Sequence, residues 1–162
     1  MGSSRLRDVL RLVVSIIVCQ LAGGIGAIFT TPAIPNWYAS LVKPAFQPPN
    51  WLFFPVWTTL YTLMGIAAWL VWRKGLEQRR VRVALGLFGI QLILNLAWTI
   101  IFFGLFSLFG ALVAIVFLWI AILINIVTFW RISKAAGALL IPYILWVSFA
   151  GILNFSVWML NP

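Results

Sequence analysis

Three stretches of this sequence place aromatic and amide side chains at helical spacing. Trp57 and Tyr61 lie four apart. Gln91, Asn95 and Trp98 follow at intervals of four and three. Tyr143, Trp146, Ala150 and Asn154 fall roughly on one helical face. Such faces offer flat rings and a few polar edges, which suits a flat, apolar ligand with some hydrogen-bonding capacity. They also suit a simpler role, in which the amides are hydrogen-bond glue between helices, worth under about 1–2 kcal/mol each, and the tryptophans fill space. Both alternatives stay open on spacing alone, which leans slightly toward packing. Ordinary catalysis is nearly excluded. The sequence has no histidine, and Asp8 and Glu77 are its two acidic residues, so neither a carboxylate pair nor a hard-metal site is expected.

What must position these residues follows from composition. The chain has 162 residues, of which 64% are hydrophobic and 8% charged. A soluble domain of this size cannot hide so much apolar surface. Lipid is therefore the solvent for most of the molecule, and only helices or closed barrels satisfy the backbone there. A barrel would alternate polar and apolar residues; the apolar runs here are continuous. The sequence thus predicts an all-α integral membrane protein in one domain, a bundle of five transmembrane helices. Their approximate spans are Val9–Phe29, Trp51–Trp72, Val83–Phe103, Leu108–Trp130 and Gly137–Met159, each near the roughly 20 residues a bilayer requires. The first, with Arg5, Arg7 and Arg11 ahead of it, is too long for a signal-peptide core and is expected to be a mature helix.

The net charge of +9 is a topology signal rather than a nucleic-acid signal. Arg5, Arg7 and Arg11 precede the first span. Arg73, Lys74, Arg79, Arg80 and Arg82 join the second to the third, and Arg131 and Lys134 the fourth to the fifth. Lys43 alone lies on the other side. This asymmetry predicts a cytoplasmic amino terminus and cytoplasmic basic loops, with the carboxyl terminus and loop 30–50 outside. The single cysteine, Cys19, rules out a disulfide within the chain. Arg73 and Glu77, four apart, are expected to make a solvated contact of little worth.

The loop from Thr30 to Asn50 is rich in proline and tryptophan. Pro32, Pro35, Pro44, Pro48 and Pro49 restrict it, and Pro55 follows. Proline fixes φ, so such a loop holds one shape at modest entropic cost. Trp37, Tyr38, Phe46 and Trp51 give it an apolar underside. It is expected to be a lid over one mouth of the bundle or, for Trp37 and Trp51 with even weight, an interfacial anchor. Gly23, Gly24 and Gly26, with Gly86 and Gly89, are small-residue patches for close helix approach, within the chain or in a homodimer. Gln20 is glue or pocket. Asn125, in mid-span, has no assignment. Pro142 should kink the fifth helix.

Taken in order, "WYASLVKPAFQPPNW", "PVWTTLY", "QLILNLAWTIIFF" and "PYILWVSFAGILNF" resemble the signatures of the translocator protein family, the tryptophan-rich sensory proteins, also called peripheral benzodiazepine receptors. The resemblance runs from about Thr31 to Trp158. It implies a five-helix bundle, often a homodimer, with a pocket beneath the first loop that binds porphyrins such as protoporphyrin, and haem. Carried over by motif, the ligand-binding positions are Trp37, Trp57, Tyr61, Asn95, Trp98, Tyr143, Trp146, Ala150 and Asn154. Some bacterial members photo-oxidise protoporphyrin, and the catalytic tryptophans in that case would be Trp57 and Trp146. The implied activity is sensing, regulation or scavenging of a tetrapyrrole, with photo-oxidation or passive porphyrin or lipid transport as alternatives. No cofactor is obligatory. Animal members carry a cholesterol motif in which a basic residue follows a tyrosine of the fifth helix. Nothing after Tyr143 is basic here, which counts against cholesterol. Without histidine, haem would lack its usual axial ligand, so a metal-free porphyrin is the simpler expectation.

Overall fold

The computed structural model describes residues 2–162, with side chains from Ser4 onward. Helix α1 covers Gly2–Ala33 and continues through a π-helical turn, Ile34–Tyr38. A 3₁₀ turn at Asn50–Leu52 leads into α2, Phe53–Trp72. Helix α3 spans Arg79–Thr99 and ends in a second π turn, Ile100–Gly104. Helices α4, Leu108–Trp130, α5, Lys134–Leu139, and α6, Ile141–Leu160, complete the chain. No strand occurs among the described residues. Five helical segments are long and apolar enough to cross a membrane: Ser4–Tyr38, Asn50–Trp72, Arg79–Gly104, Leu108–Trp130 and Lys134–Leu160. Large apolar side chains face outward, with Phe54 78% and Ile93 69% exposed, as a lipid-solvated bundle requires.

The second and fourth spans lie where hydropathy puts them. The first does not, and its extension corrects the expected loop. Pro32 sits inside α1 and Pro35 opens the π turn, so both belong to helix rather than loop. The wider π register absorbs the missing proline N–H groups. Ala39 N–H donates to the Ile34 carbonyl, and Asn36 Nδ2 donates to the Pro32 carbonyl at 3.0 Å. The non-helical connection shrinks to residues 41–49. The helical stretch also takes in Asp8, one residue before the expected start of the span. The fifth span is broken rather than kinked. Pro142 stands in the first turn of α6, where its absent N–H costs nothing, and α5 is a separate short helix capped by Ser133, which accepts from Ala136 N–H at 3.3 Å.

Close packing is carried by glycines that hydropathy did not single out. A Cβ on Gly65 would stand 2.6 Å from Ile16 Cα, so α1 and α2 touch backbone to backbone there. Gly137 meets Trp130 in the same way at 2.8 Å. Of the expected patches, Gly23 and Gly26 do abut neighbours, Tyr61 and Thr99, whereas Gly24, Gly86 and Gly89 face open space. At the basic end of the bundle α1 and α2 are pinned by charge. Arg73 pairs with Asp8 at 3.2 Å, not with Glu77. Trp69 Nε1 donates to the Asp8 carbonyl and carboxylate, both at 3.1 Å, and the Arg73 guanidinium lies 4.6 Å from the Trp69 ring centre. Arg73 caps the end of α2, where Asp8 is the carboxylate in reach across the helix pair.

Candidate functional site

A cavity of about 410 Å³ occupies the end of the bundle away from the basic loops. That volume lies within the usual range of small-molecule sites. Trp57 and Tyr61 of α2, Trp98 of α3, and Trp146, Ala150 and Asn154 of α6 all line it. Helix α1 contributes Gln20, Gly23, Gly24, Ala27 and Thr30, and its π turn contributes Ile34 and Tyr38. Its exposed lining residues, Gly24, Ala27 and Thr31 on one side and Phe54 and Thr58 on the other, mark the α1–α2 seam as its opening.

The aromatic wall is continuous. Trp57 stacks on Tyr61 with ring centres 5.6 Å apart and lies 6.2 Å from Trp98. Trp98 meets Phe102 at 5.9 Å, and Phe102 in turn contacts Tyr38 at 6.1 Å. Both π turns end here. Each re-phases its helix by one residue, so that Tyr38 and Phe102 point inward together. Trp146, also on the cavity, packs on Phe53 and Phe149 at 5.9 and 5.4 Å. The Trp146 indole nitrogen is buried with no hydrogen-bond partner among the described residues.

Three of the expected site residues are not on the cavity surface. Asn95 and Tyr143 stand behind it, each 1% exposed. Tyr61 Oη donates to Asn95 Oδ1 at 2.6 Å, Asn95 Nδ2 donates to Tyr143 Oη at 2.9 Å, and Tyr143 Oη donates to Gln91 Oε1 at 2.8 Å. This buried chain ties α2, α3 and α6 together, so Asn95 and Gln91 act as interhelical glue. Asn154 does both jobs. Its Oδ1 accepts from Trp98 Nε1 at 3.2 Å and its Nδ2 donates to the Leu108 carbonyl at 3.0 Å, while its side chain borders the cavity. Gln20 likewise bridges to Thr58 and Thr62 and lines the cavity. The third residue off the surface is Trp37. It packs on Phe102 and on Phe106, at 5.6 and 4.8 Å, and its neighbour Tyr38 takes the inward position. Asn125 is buried, and neither of its amide atoms has a partner among the described residues.

The short loop lies at the same end. Asn161 Oδ1 accepts from Val42 N–H at 3.0 Å, and Phe46 packs on Phe149 at 6.3 Å. Lys43 Nζ lies 4.9 Å from the Tyr38 ring centre. Trp51 is 70% exposed and faces outward, as an interfacial anchor would. Phe102 and Phe103 also line the cavity without having been anticipated. The four-residue step from Trp98 to Phe102 was the signal for the first of them.

The sequence model of the TspO/MBR family matches residues 15–159. The chain is 46% identical over 156 residues to the tryptophan-rich protein TspO of Chlorobaculum tepidum, covering 96% of this chain and 99% of that one. It is 44% identical over 146 residues to protein CrtK of Rhodobacter capsulatus, covering 90% and 89%. It is 42% identical over 125 residues to the human translocator protein, covering 76% and 73%. With the five membrane-spanning helices, these matches establish that the chain is an integral membrane protein of the TspO/MBR family.

Proposed function

We propose that this protein binds a tetrapyrrole, protoporphyrin in the first instance, between the tryptophans of its cavity, and that it works as a sensor, regulator or scavenger of that ligand. The observation that carries the reading is that the continuous run of rings Tyr61, Trp57 and Trp98 and the indole of Trp146 line one cavity. A cavity lined by several flat π faces suits a flat aromatic ligand. The unpaired Trp146 N–H adds a donor for a polar edge, since a buried donor left alone costs about 1–3 kcal/mol. The opening at the α1–α2 seam suits a ligand that partitions into the bilayer. No group of three or more histidine, cysteine or acidic side chains comes together among the described residues, so the ligand would be held by stacking and shape. The membrane orientation proposed with this function is that of the charge asymmetry, with the basic loops cytoplasmic and residues 41–49 outside.

The test is a protoporphyrin titration in nanodiscs followed by tryptophan fluorescence, on the wild type and on Trp146→Phe. Saturable quenching that weakens in the variant supports the site. Linear quenching indifferent to the variant means nonspecific partitioning.

A second reading has its own observation. Trp57 lies within 6.4 Å of Tyr61, Trp98 and Tyr143, ring centre to ring centre, so an electron taken from it can be replaced by a neighbour. That arrangement suits light- and oxygen-dependent degradation of the bound porphyrin, the ligand supplying the photochemistry. Illumination of the loaded protein decides it: bleaching unchanged in Trp57→Phe and in Trp146→Phe would remove the tryptophan mechanism.

A further inference from the structure

A second cavity, of about 220 Å³, lies on the outer surface of the bundle nearer its basic end, between α1, α2 and α3. Val14, Ser15 and Val18 of α1 form one side. Ala68 and Trp72 of α2 form its head, and Leu85, Phe88, Gly89 and Leu92 of α3 the other side. It shares no residue with the aromatic cavity.

Its lining is apolar except for one group. Ser15 is 7% exposed, and its hydroxyl makes no hydrogen bond among the described residues. A serine in a membrane helix ordinarily returns its hydroxyl to the carbonyl four residues back. Several helix hydroxyls do so here: Thr58, Thr59 and Thr62 each bond the i−4 carbonyl at 2.8–2.9 Å. Ser15 thus brings a hydroxyl with no partner among the described residues to the wall of an otherwise apolar groove.

One turn toward the basic end on the same face of α1 is Arg11. Its guanidinium lies 5.8 Å from the ring centre of Trp72, the residue that heads the groove. Arg11 is half-buried and has no carboxylate partner among the described residues, because Asp8 is taken by Arg73. Along the helix, Arg11, Ser15 and Val18 thus present a cation, a hydroxyl and then hydrocarbon. The step from Arg11 to Ser15 is about 6 Å of helix rise. The order charge, ester-depth donor, apolar slot is that of a phospholipid seen from headgroup to tail.

We propose that this groove is a site for an anionic phospholipid of the leaflet at the basic end of the bundle. The phosphate and the rest of the anionic headgroup pair with Arg11 over Trp72. Ser15 Oγ donates to a glycerol ester carbonyl, and one acyl chain runs past Gly89 toward Leu92 and Val18. Gly89 leaves the slot open, since a Cβ there would meet nothing within 4 Å. An unpaired, partly buried guanidinium selects an anionic over a zwitterionic headgroup.

The experiment is native mass spectrometry of the full chain released from detergent, titrated in parallel with phosphatidylglycerol and with phosphatidylcholine. The wild type is expected to retain one phosphatidylglycerol at least threefold more strongly than phosphatidylcholine. Arg11→Gln should abolish that preference, and Ser15→Ala should weaken retention of both lipids. Gly89→Leu, which fills the slot from a position with open space, should eliminate the bound lipid while leaving the thermal transition in place. Equal retention of the two lipids, or retention unchanged in Arg11→Gln and Gly89→Leu, would overturn the proposal. So would a lipid-free dimer that Gly89→Leu dissociates, because the groove would then be covered by a second copy.

Discussion

Asn161 holds Val42 by both of its backbone groups: its Oδ1 accepts from Val42 N–H at 3.0 Å and its Nδ2 donates to the Val42 carbonyl at 2.9 Å. The same Nδ2 also donates to the Val157 carbonyl at 2.7 Å, so the amide is anchored to α6 as it grips the loop. A loop with three prolines between residues 44 and 49 is already stiff, and this clamp fixes where it rests. Asn161→Ala removes the clamp without opening the bundle. Dissociation of bound protoporphyrin, followed by stopped-flow tryptophan fluorescence, is expected to accelerate by about three- to tenfold, the equivalent of about 1 kcal/mol of lost hydrogen bonding. The thermal transition should barely move. An unchanged off-rate would mean that the loop does not guard the cavity.

Tyr143 and Tyr61 sit in one buried chain but differ in what their removal strands. Tyr143→Phe leaves both Asn95 Nδ2 and Gln91 Oε1 without their partner, whereas Tyr61→Phe frees Asn95 Oδ1 alone. Each buried group left unpaired costs about 1–3 kcal/mol. Thermal unfolding in detergent should therefore rank Tyr143→Phe below Tyr61→Phe, and both below wild type. The reverse order would show that the chain is not what joins α2, α3 and α6.

Trp146 gives the opposite signature. Its indole N–H has no partner among the described residues, so Trp146→Phe removes a buried, unpaired donor. Stability is expected to stay within about 1 kcal/mol of wild type while protoporphyrin affinity falls. A large loss of stability with unchanged binding would make Trp146 a packing residue only.

Orientation can be read from a single added thiol. Cys19 is 1% exposed, so it should not react with a membrane-impermeant maleimide. Ala45 in the α1–α2 loop is exposed. Ala45→Cys is expected to label in intact cells, and labelling only after lysis would overturn the charge argument.

How far the sequence reached can be judged residue by residue. Hydropathy located α2 and α4 closely because nothing in those stretches contradicts it. It ended the first span at Phe29, yet the helix continues past Pro32 and Pro35 to Tyr38. Proline argued for a stop, and the π turn, with Asn36 serving the Pro32 carbonyl, removed the reason for one. The same turn reversed the roles of Trp37 and Tyr38. A motif names both residues but carries no helical phase.

By itself, then, the sequence determined the solvent, the class and the stripes: lipid, helices, and aromatic faces at three- and four-residue steps. Those are local properties, set by composition and by the 3.6-residue period. Tertiary structure decided which members of a stripe meet the cavity and which meet another helix. Tyr61 and Asn95 belong to faces of equal promise, but Tyr61 borders the cavity while Asn95, bonded to Tyr61 and Tyr143, stands behind it. That division depends on how far each helix is rotated about its axis. Contacts such as Gly65 against Ile16 set that rotation, and they couple residues too far apart in sequence for any periodicity to register.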